Sequence, residues 1–192
     1  FSHTENVRFE NNAAKKILGH DTVFTTPSVA PYFLLNLTGS TNYWFYAGTA
    51  KIYRTDSTNN VDVTRASGGD YSTNLTGTGN WVGSIFNGNP ILCNGVDDPQ
   101  LYDLSTSKFL DLTNWPASTT CKSIRPYGNY LIALNLTESG TNLPNKIRWS
   151  DASISVPSTW VAGATNDASA NTIGDEGDFI VDGFPLKQSF II

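Results

Sequence analysis

The stretch that most constrains the fold is residues 123–151, SIRPYGNYLIALNLTESGTNLPNKIRWSD. Two runs within it, 130–134 and 146–149, are rich in β-branched, aromatic and other strand-forming residues, and Gly and Asn stand between the runs. A tight turn is predicted at Tyr127-Gly128-Asn129, and a polar loop is predicted after residue 137. The stretch therefore predicts a β-meander, in which antiparallel strands follow one another through short connections.

The first hairpin of this stretch, residues 123–131, recurs at 84–92 and at 179–186. These copies carry Asn87-Gly88 and Asp182-Gly183, dipeptides that favour two-residue hairpin turns because both central positions need positive φ. We therefore predict hairpin turns at both dipeptides as well as in the first hairpin itself.

The second half of the stretch recurs near the start of the chain. Asn36 and Asn135 are 99 residues apart, and Asp56 and Asp151 are 95 residues apart, so the match stays in register except for one loop. We predict that each pair occupies equivalent positions in two repeating units. We also expect these side chains to cap turns by accepting hydrogen bonds from nearby backbone N–H groups.

These matches predict an array of units that follows an N-terminal strand segment, 1–28. A four-stranded antiparallel sheet with short connections takes ~40–50 residues, which is the period of a propeller blade. The predicted fold class is all-β, with antiparallel β-meander repeats that form part of a β-propeller and with less than about a tenth of the residues in helix. The propeller portion spans 29–192, with units near 29–84, 85–123 and 124–179 and a truncated unit at 180–192.

Both ends of the sequence carry strand patterns. Residues 6–9 and 15–20 predict a strand and its return strand, with a short helix over 12–18 as the alternative. Residues 184–192 begin the fourth unit just after its predicted turn and end in an apolar strand. Because propellers close with ~4–8 blades, we expect this strand to be buried against a strand outside the segment or to lie at a break. We expect residues 1–192 alone to aggregate or to stay partly unfolded.

Composition narrows the functional classes. The 192 residues are 39% hydrophobic and 15% charged, which suits a folded core and argues against disorder. The net charge of −5 argues against a protein that clamps nucleic acid, because phosphate binding needs a surplus of Lys and Arg. No stretch approaches ~20 consecutive apolar residues, so we predict no membrane-spanning segment.

Two acidic groups, Asp97-Asp98 and Asp175-Glu176-Asp178, could in principle bind Ca²⁺ through oxygen. Neither group has the spacing of a calcium-binding loop, and we expect solvated turn residues at both. His3 and His20 have no Cys or acidic partners at the spacing that zinc requires. The sequence therefore predicts no metal site and no cofactor.

A catalytic site finds little support in the sequence. Trp149-Ser150-Asp151 with Trp160 resembles the aspartate box of sialidase-type propellers, Ser-x-Asp-x-Gly-x-x-Trp, but here Ser and Asp are adjacent and the Gly is missing. A glycosidase needs two carboxylates held across a sugar, and a sialidase-like site also needs clustered arginines. The arginines are scattered along the chain, so we predict no catalytic residues and no enzyme activity; they are Arg8, Arg54, Arg65, Arg125 and Arg148.

The remaining candidate residues have structural explanations. Cys93 and Cys121 are expected to be two buried free thiols, with a disulfide between them as the alternative. Asn36, Asn74 and Asn135 stand in N-x-T sequons, but the composition alone produces about as many. Most Trp and Tyr residues lie within strand patterns, which predicts packing between strands or blades rather than stacking on sugars or bases.

Several short phrases follow one another along the chain: NVRF at 6–9 with GH at 19–20, YAGT at 46–49 with KIY at 51–53, FNG at 86–88 with NGVDDPQ at 94–100, and RWSD at 148–151 with PSTW at 157–160. Together these phrases resemble virion structural proteins of tailed bacteriophages, in particular the β-propeller-containing tail nozzle or tail-hub proteins of short-tailed phages. The resemblance implies a propeller domain within a ring-shaped oligomer. That ring would lie below the head-to-tail adaptor and surround the DNA exit channel.

Two functional hypotheses follow. The first is a structural component of the virion tail, whose partners are further copies of itself, other tail or adaptor proteins, and DNA only in transit. Its subunits would pack into a closed ring through a heterologous interface, and an acidic lumen would let DNA slide without sticking. The alternative is a carbohydrate-binding or glycan-hydrolysing β-propeller, which needs aromatic residues and carboxylates clustered at one end of the propeller axis.

Overall fold

The structure is a computed structural model that describes residues 7–11, 13–16, 24–39, 42–73 and 80–192. Within these ranges the chain forms β-strands and no helix. The strands are β1 (Val7–Glu10), β2 (Ala13–Lys16), β3 (Phe33–Leu37), β4 (Tyr43–Ala47), β5 (Ile52–Thr55), β6 (Asn60–Asp62), β7 (Val82–Phe86), β8 (Asn89–Cys93), β9 (Gln100–Asp103), β10 (Lys108–Asp111), β11 (Thr119–Tyr127), β12 (Tyr130–Glu138), β13 (Thr141–Trp149), β14 (Ser169–Thr172), β15 (Phe184–Leu186) and β16 (Ser189–Ile191).

The strands pair with their neighbours in chain order, and every pair is antiparallel. Strands β3–β6 form sheet I, β7–β10 form sheet II and β11–β14 form sheet III, each with four strands in sequential order. Strands β1 and β2 form the N-terminal hairpin, and β15 and β16 form the C-terminal hairpin. The prediction of an all-β fold built from antiparallel meanders is confirmed.

Successive sheets stack face to face, and β8 shows why. Side chains of a strand point alternately to its two faces. Ile91 and Cys93 enter the apolar cluster between sheets II and III, whereas Leu92 enters the cluster between sheets I and II. Each of these three side chains is fully buried. An apolar run without alternation therefore marks a strand that is covered on both faces.

Sheet III is also covered on both faces along β12. Leu131 and Ala133 face sheet II, while Ile132 and Leu134 face Ile180 and the C-terminal hairpin. The stack thus runs in chain order from sheet I through sheets II and III to the C-terminal hairpin. Burial of a Leu or Ile side chain contributes roughly 1.5–3 kcal/mol, so these shared clusters are the main attraction between sheets.

The first strands of neighbouring sheets approach one another. Strand β3 lies beside β7, β7 lies beside β11, and β11 lies beside β15. Ser84 of β7 donates from its Oγ to the carbonyl of Ile124 in β11 at 3.3 Å. Arg125 of β11 donates from Nη1 to the carbonyl of Gly83 in β7 at 2.8 Å. The first strands therefore lie on one common side of the stack.

Two of the three predicted hairpin turns are confirmed. Asn87 and Gly88 have φ of 47° and 81° and join β7 to β8, with both central residues at positive φ. Gly128 has φ of 56° and joins β11 to β12 together with Asn129. Local turn chemistry decides both connections because Gly and Asn tolerate the left-handed region.

The third predicted turn, at Asp182-Gly183, is wrong. The C-terminal hairpin turns at Lys187-Gln188 instead, where Lys187 has φ of 54°. The Asp182 carboxylate is held by Ser123 Oγ at 2.5 Å and by Arg125, which keeps this residue against sheet III. A tertiary ion pair thus overrides the local preference of the dipeptide.

The predicted equivalence of Asn36 and Asn135 is wrong. Asn36 lies on β3, the first strand of sheet I, whereas Asn135 lies on β12, the second strand of sheet III. Asn135 sits at a bulge with φ of 55°, and its Nδ2 donates to the Ile180 carbonyl at 2.8 Å. The two residues share a sequence phrase but not a place in the meander.

Asp56 and Asp151 both follow the third strand of their sheets. The Asp56 carboxylate accepts from the backbone N–H groups of Thr58 and Asn59 at 3.0 and 2.8 Å, as a turn cap does. Asp151 instead accepts from the distant N–H of Asp167 at 2.9 Å. Local capping is therefore confirmed for Asp56 and wrong for Asp151.

The polar loop predicted after residue 137 is also wrong. Strand β12 continues to Glu138 and β13 begins at Thr141, so Ser139-Gly140 alone forms the turn, with φ of 48° and 79°. The pairing of the nine-residue strands β12 and β13 continues through the polar residues, with Thr137 opposite Asn142 and Glu138 opposite Thr141. The Glu138 carboxylate also binds both Lys146 and Arg148 of β13.

The N-terminal hairpin confirms the predicted strand and return strand, at 7–10 and 13–16. The alternative of a helix is therefore wrong for residues 13–16. Residues 1–6, 12 and 17–23, which include His3 and His20, lie outside the described residues. The sheets begin at Phe33, Val82 and Thr119 and the C-terminal hairpin at Phe184, whereas the predicted units began near residues 29, 85, 124 and 180. The division into propeller units stays a prediction.

Candidate functional site

The acidic pair Asp97-Asp98 holds a turn together. Asp97 accepts from Arg65 Nη2 at 3.3 Å, from the Ser72 N–H at 2.8 Å and from Asn94 Nδ2 at 2.8 Å. Burial raises the pKa of Asp98, and the nearby carboxylate of Asp111 raises it further. Both carboxylate oxygens of Asp97 thus accept hydrogen bonds, and they connect residues that follow sheet I with the β8–β9 turn of sheet II.

The second acidic group, residues 175–178, forms an exposed turn. The Asp178 carboxylate accepts from the Asp175 N–H at 2.9 Å, and the Asp178 N–H donates to the Asp175 carbonyl at 3.1 Å. Among the described residues, no three His, Cys, Asp or Glu side chains are placed to hold a metal ion together.

The phrase that resembles an aspartate box is structural here. Ser150 Oγ accepts from the Leu131 N–H at 3.0 Å and donates to the Asp151 carbonyl at 2.8 Å. Trp160 is buried and meets Trp115 edge to face with ring centroids 4.7 Å apart. These contacts tie the long β13–β14 connection to β12 and to the apolar cluster between sheets II and III.

Four of the five scattered arginines join strands or sheets. Arg54 donates to Tyr102 Oη at 2.8 Å, from sheet I to sheet II. Arg65 lies over the Tyr71 ring at 4.7 Å, and Arg148 donates to the Trp160 carbonyl at 2.8 Å. Arg125 of sheet III donates to the Gly83 carbonyl of sheet II. Each of these four guanidinium groups therefore has a structural contact. The side chain of Arg8 is outside the part of the chain that the structure describes.

Cys93 and Cys121 are buried free thiols, as predicted. Burial raises the pKa of Cys121 well above its usual value, and a hydrogen bond with Cys93 raises it further. The Asn135 sequon lies on a buried side chain, so it is closed to glycosylation in the folded chain. Asn74 lies outside the described residues.

One cluster of aromatic residues lines an open recess rather than the core. The recess has a volume of about 220 Å³ and is lined by Tyr127, Tyr130, Ile132, Trp149 and Asp167. Tyr127 pairs with Tyr130 across the turn between β11 and β12, and Ile132 pairs with Trp149 across β12 and β13. Antiparallel pairing therefore places these four side chains on one face of sheet III.

Asp167 closes the recess and fixes two of its aromatic side chains. Tyr130 Oη donates to Asp167 Oδ2 at 3.1 Å, and Trp149 Nε1 donates to the Asp167 carbonyl at 2.6 Å. The hydrogen bond and charge of Asp167 raise the pKa of Tyr130. The Tyr127 hydroxyl donates to the Gln188 carbonyl of the C-terminal hairpin.

Sequence reasoning missed this recess, although part of the signal was present. The predicted turn at Gly128-Asn129 already sets Tyr127 opposite Tyr130. Trp149 and Asp167 could not be placed, because the polar loop was predicted where β12 and β13 pair, and Asp167 belongs to an irregular connection.

The described residues also line two further cavities beside the stack. One, of about 110 Å³, is mostly apolar and lies between residues 24–31 and the outer face of sheet I, next to Trp44. The other, of about 360 Å³, lies along residues 173–182 beside Ile192. Neither brings together groups with evident chemistry.

Comparison of the sequence with models of protein families and with curated proteins gives no match. No helix among the described residues has the length and apolar character needed to cross a bilayer. The fold and its contacts therefore define the class of the molecule: an all-β protein made of antiparallel meander sheets that stack in chain order.

Proposed function

We propose that this protein is a structural component of a phage tail, a nozzle or hub subunit that forms a ring around the DNA exit channel of the virion. The observation that carries the proposal is the stack of meander sheets, because most of the buried hydrophobic side chains lie at the interfaces between sheets. The phage assignment itself comes from the resemblance of short phrases in the chain to such proteins.

The proposal includes a β-propeller. In a propeller each blade is a four-stranded meander, and the blades pack face to face around an axis with the same strand of each blade innermost. Sheets I, II and III have this order, and their first strands lie side by side. The C-terminal hairpin would supply the first two strands of a further blade.

Assembly is supported by apolar surface at the end of the stack. The C-terminal hairpin and the segment before it expose four large hydrophobic side chains between residues 179 and 186: Phe179 (68% exposed), Val181 (77%), Phe184 (55%) and Leu186 (53%). Exposed apolar surface concentrated in one region is typical of an interaction site. A further sheet, from a neighbouring copy or from elsewhere in the same protein, would continue the stack across this face.

Repeated contact of this kind is heterologous, because the face at the end of one stack meets a different face of the next. Heterologous contacts generate rings when the rotation closes. The strands on the common side of the stack, β3, β7, β11 and β15, carry no Asp or Glu. These strands therefore contribute no carboxylate to the axis of the proposed propeller, and the acidic lumen stays a prediction.

The test is the assembly state of the purified protein, expressed together with any residues that flank 1–192, measured by light scattering and negative-stain electron microscopy. We expect a closed ring, and we expect the double variant Phe184→Asp with Leu186→Asp to be a folded monomer. Leu104→Asp is the matched control, since Leu104 is equally exposed (61%) but lies in the β9–β10 turn. A monomeric wild type, or a double variant that still forms rings, would contradict the proposal.

A glycan-hydrolysing propeller remains the alternative function. The carboxylates of Asp151 and Asp178 are engaged with the backbone N–H groups of residues 167 and 175, in two different connections. Turnover of a host polysaccharide by the purified protein, lost on Asp151→Asn or Asp178→Asn, would favour the alternative over the structural role.

A further inference from the structure

We propose that the recess formed by Tyr127, Tyr130, Trp149 and Asp167 binds a quaternary ammonium group. This inference concerns a ligand site on the face of sheet III against which the C-terminal hairpin packs.

The recess combines aromatic rings with a negative charge. Cations are attracted to the faces of Trp and Tyr by the ring quadrupole, and quaternary ammonium groups are recognised in aromatic cages of this composition. Two tyrosines and one tryptophan line the recess, and the exposed carboxylate of Asp167 stands at its margin. Asp151 adds a second negative charge that acts on Tyr130.

The hydrogen-bond donors of the three rings are already used. Trp149 Nε1 and Tyr130 Oη both donate to Asp167, and the Tyr127 hydroxyl donates to Gln188. The recess therefore offers π surface and oxygen acceptors. A saccharide needs donors as well as acceptors to match its hydroxyl groups, whereas a methylated ammonium needs only negative charge and π surface.

Among the described residues that line the recess there is no Lys or Arg. On the same face of sheet III, the guanidinium of Arg125, two residues before Tyr127, is paired with Asp182. A ligand cation would therefore meet net negative charge. The volume of about 220 Å³ is below the ~300–1,000 Å³ of sites for drug-sized ligands, which fits a small headgroup.

The site is preorganised for such a ligand. The backbone hydrogen bond of Trp149 and the carboxylate bond of Tyr130 hold both rings to the same residue, Asp167. Rings fixed before binding lose less side-chain entropy when the ligand enters.

The test is calorimetric titration of the purified protein with choline, with its uncharged carbon isostere 3,3-dimethylbutan-1-ol, and with glucose. A trimethyl-lysine peptide and its unmethylated form, in parallel, distinguish a protein-borne ammonium group from a small free one. For a headgroup of this size we expect a Kd of about 0.1–10 mM for choline. We expect about 2- to 30-fold weaker binding of the isostere, since one cation–π contact is worth ~0.5–2 kcal/mol.

Variants test whether the charge of Asp167 and the ring of Tyr130 bind the ligand. Asp167→Asn keeps an acceptor for Tyr130 but removes the charge, and we expect about 5-fold or greater loss of choline affinity. Tyr130→Ala removes one ring of the recess and should lose affinity, and Tyr130→Phe, which keeps the ring but loses the hydrogen bond to Asp167, should lose less than Tyr130→Ala. Glu176→Gln removes an exposed carboxylate elsewhere and is the matched charge control.

Equal binding of choline and its isostere would overturn the proposal, as would binding of glucose in preference to choline. Absence of choline binding up to ~50 mM, well above the expected range, would overturn it as well. Circular dichroism of each variant establishes that a loss of binding is not a loss of fold.

Discussion

Arg125 and Asp182 form a two-point ion pair between β11 and the segment that precedes β15. Arg125 Nε lies 2.9 Å from Asp182 Oδ1, and Nη2 lies 2.6 Å from Oδ2. The same guanidinium donates from Nη1 to the Gly83 carbonyl of sheet II. One side chain therefore connects sheet II, sheet III and the approach to the C-terminal hairpin.

The ion pair should contribute measurably to stability. A double-mutant cycle with Arg125→Ala and Asp182→Ala should give a coupling energy of about 0.5–2 kcal/mol, because the geometry is bidentate although the carboxylate is partly exposed. The control cycle uses Lys51 and Asp62, whose single contact is 3.3 Å and whose side chains are both more than a third exposed. Urea unfolding measures both cycles, and equal couplings in the two would contradict the expectation.

Glu138 should make the fold sensitive to acid. Burial raises the pKa of this carboxyl, but hydrogen bonds from Lys146 and Arg148 outweigh that effect, and the pKa is lowered overall. A lowered pKa contributes stability that is present above the unfolded value of about 4.3 and is lost as pH falls through the folded value.

Glu138→Gln should therefore be less stable than the wild type at pH 7 by about 1–3 kcal/mol. The difference should shrink as the pH falls below about 4. Denaturant unfolding at several pH values measures it, and a difference that stays constant down to pH 2.5 would contradict the role of the charge.

The contribution of Asp98 to the pH dependence of stability should be opposite in sign to that of Glu138. Burial and the charges of Asp111 and Asp97 raise its pKa, so the folded state disfavours the ionised carboxylate. Its ionised form therefore costs stability at pH values above the folded pKa, and the cost is relieved as the pH falls through that value. Asp98→Asn should be as stable as the wild type or more stable at pH 7 and lose this advantage in acid. Marked destabilisation at pH 7 would show that the carboxylate makes an essential contact.

Gly83 should tolerate no side chain. An added Cβ would lie 2.5 Å from Leu92 Cδ2, 3.0 Å from the Ile91 carbonyl and 3.0 Å from Phe33 Cζ of sheet I. Gly83→Ala should cost about 1–3 kcal/mol because close-packed interiors resist added methyl groups. Gly163→Ala is the control, since the atom it meets, Asn166 Nδ2, is the end of a flexible side chain. Thermal unfolding compares the two, and equal melting temperatures would contradict the expected clash.

The sequence by itself determined the strand class and the short connections. Asn87-Gly88 and Gly128-Asn129 turn where predicted because the φ values that hairpins need are properties of the residues themselves. The unbroken apolar run at Ile91-Leu92-Cys93 likewise marks a strand covered on both faces. Both kinds of signal depend on a few neighbouring residues, so they can be recognised in the sequence without knowledge of the fold.

Only the tertiary structure decided which residues meet across sheets. Asp182-Gly183 stays out of a turn because Arg125, 57 residues earlier, holds the Asp182 carboxylate. Asn135 has a different place from Asn36 because it lies on the second strand of its sheet rather than the first, and at a bulge there its Nδ2 donates to the Ile180 carbonyl. Asp167 reaches Tyr130 and Trp149 only because an irregular connection returns to the face of sheet III. Such contacts depend on how sheets stack, and stacking is set by the total burial of apolar surface, which no short stretch of sequence encodes.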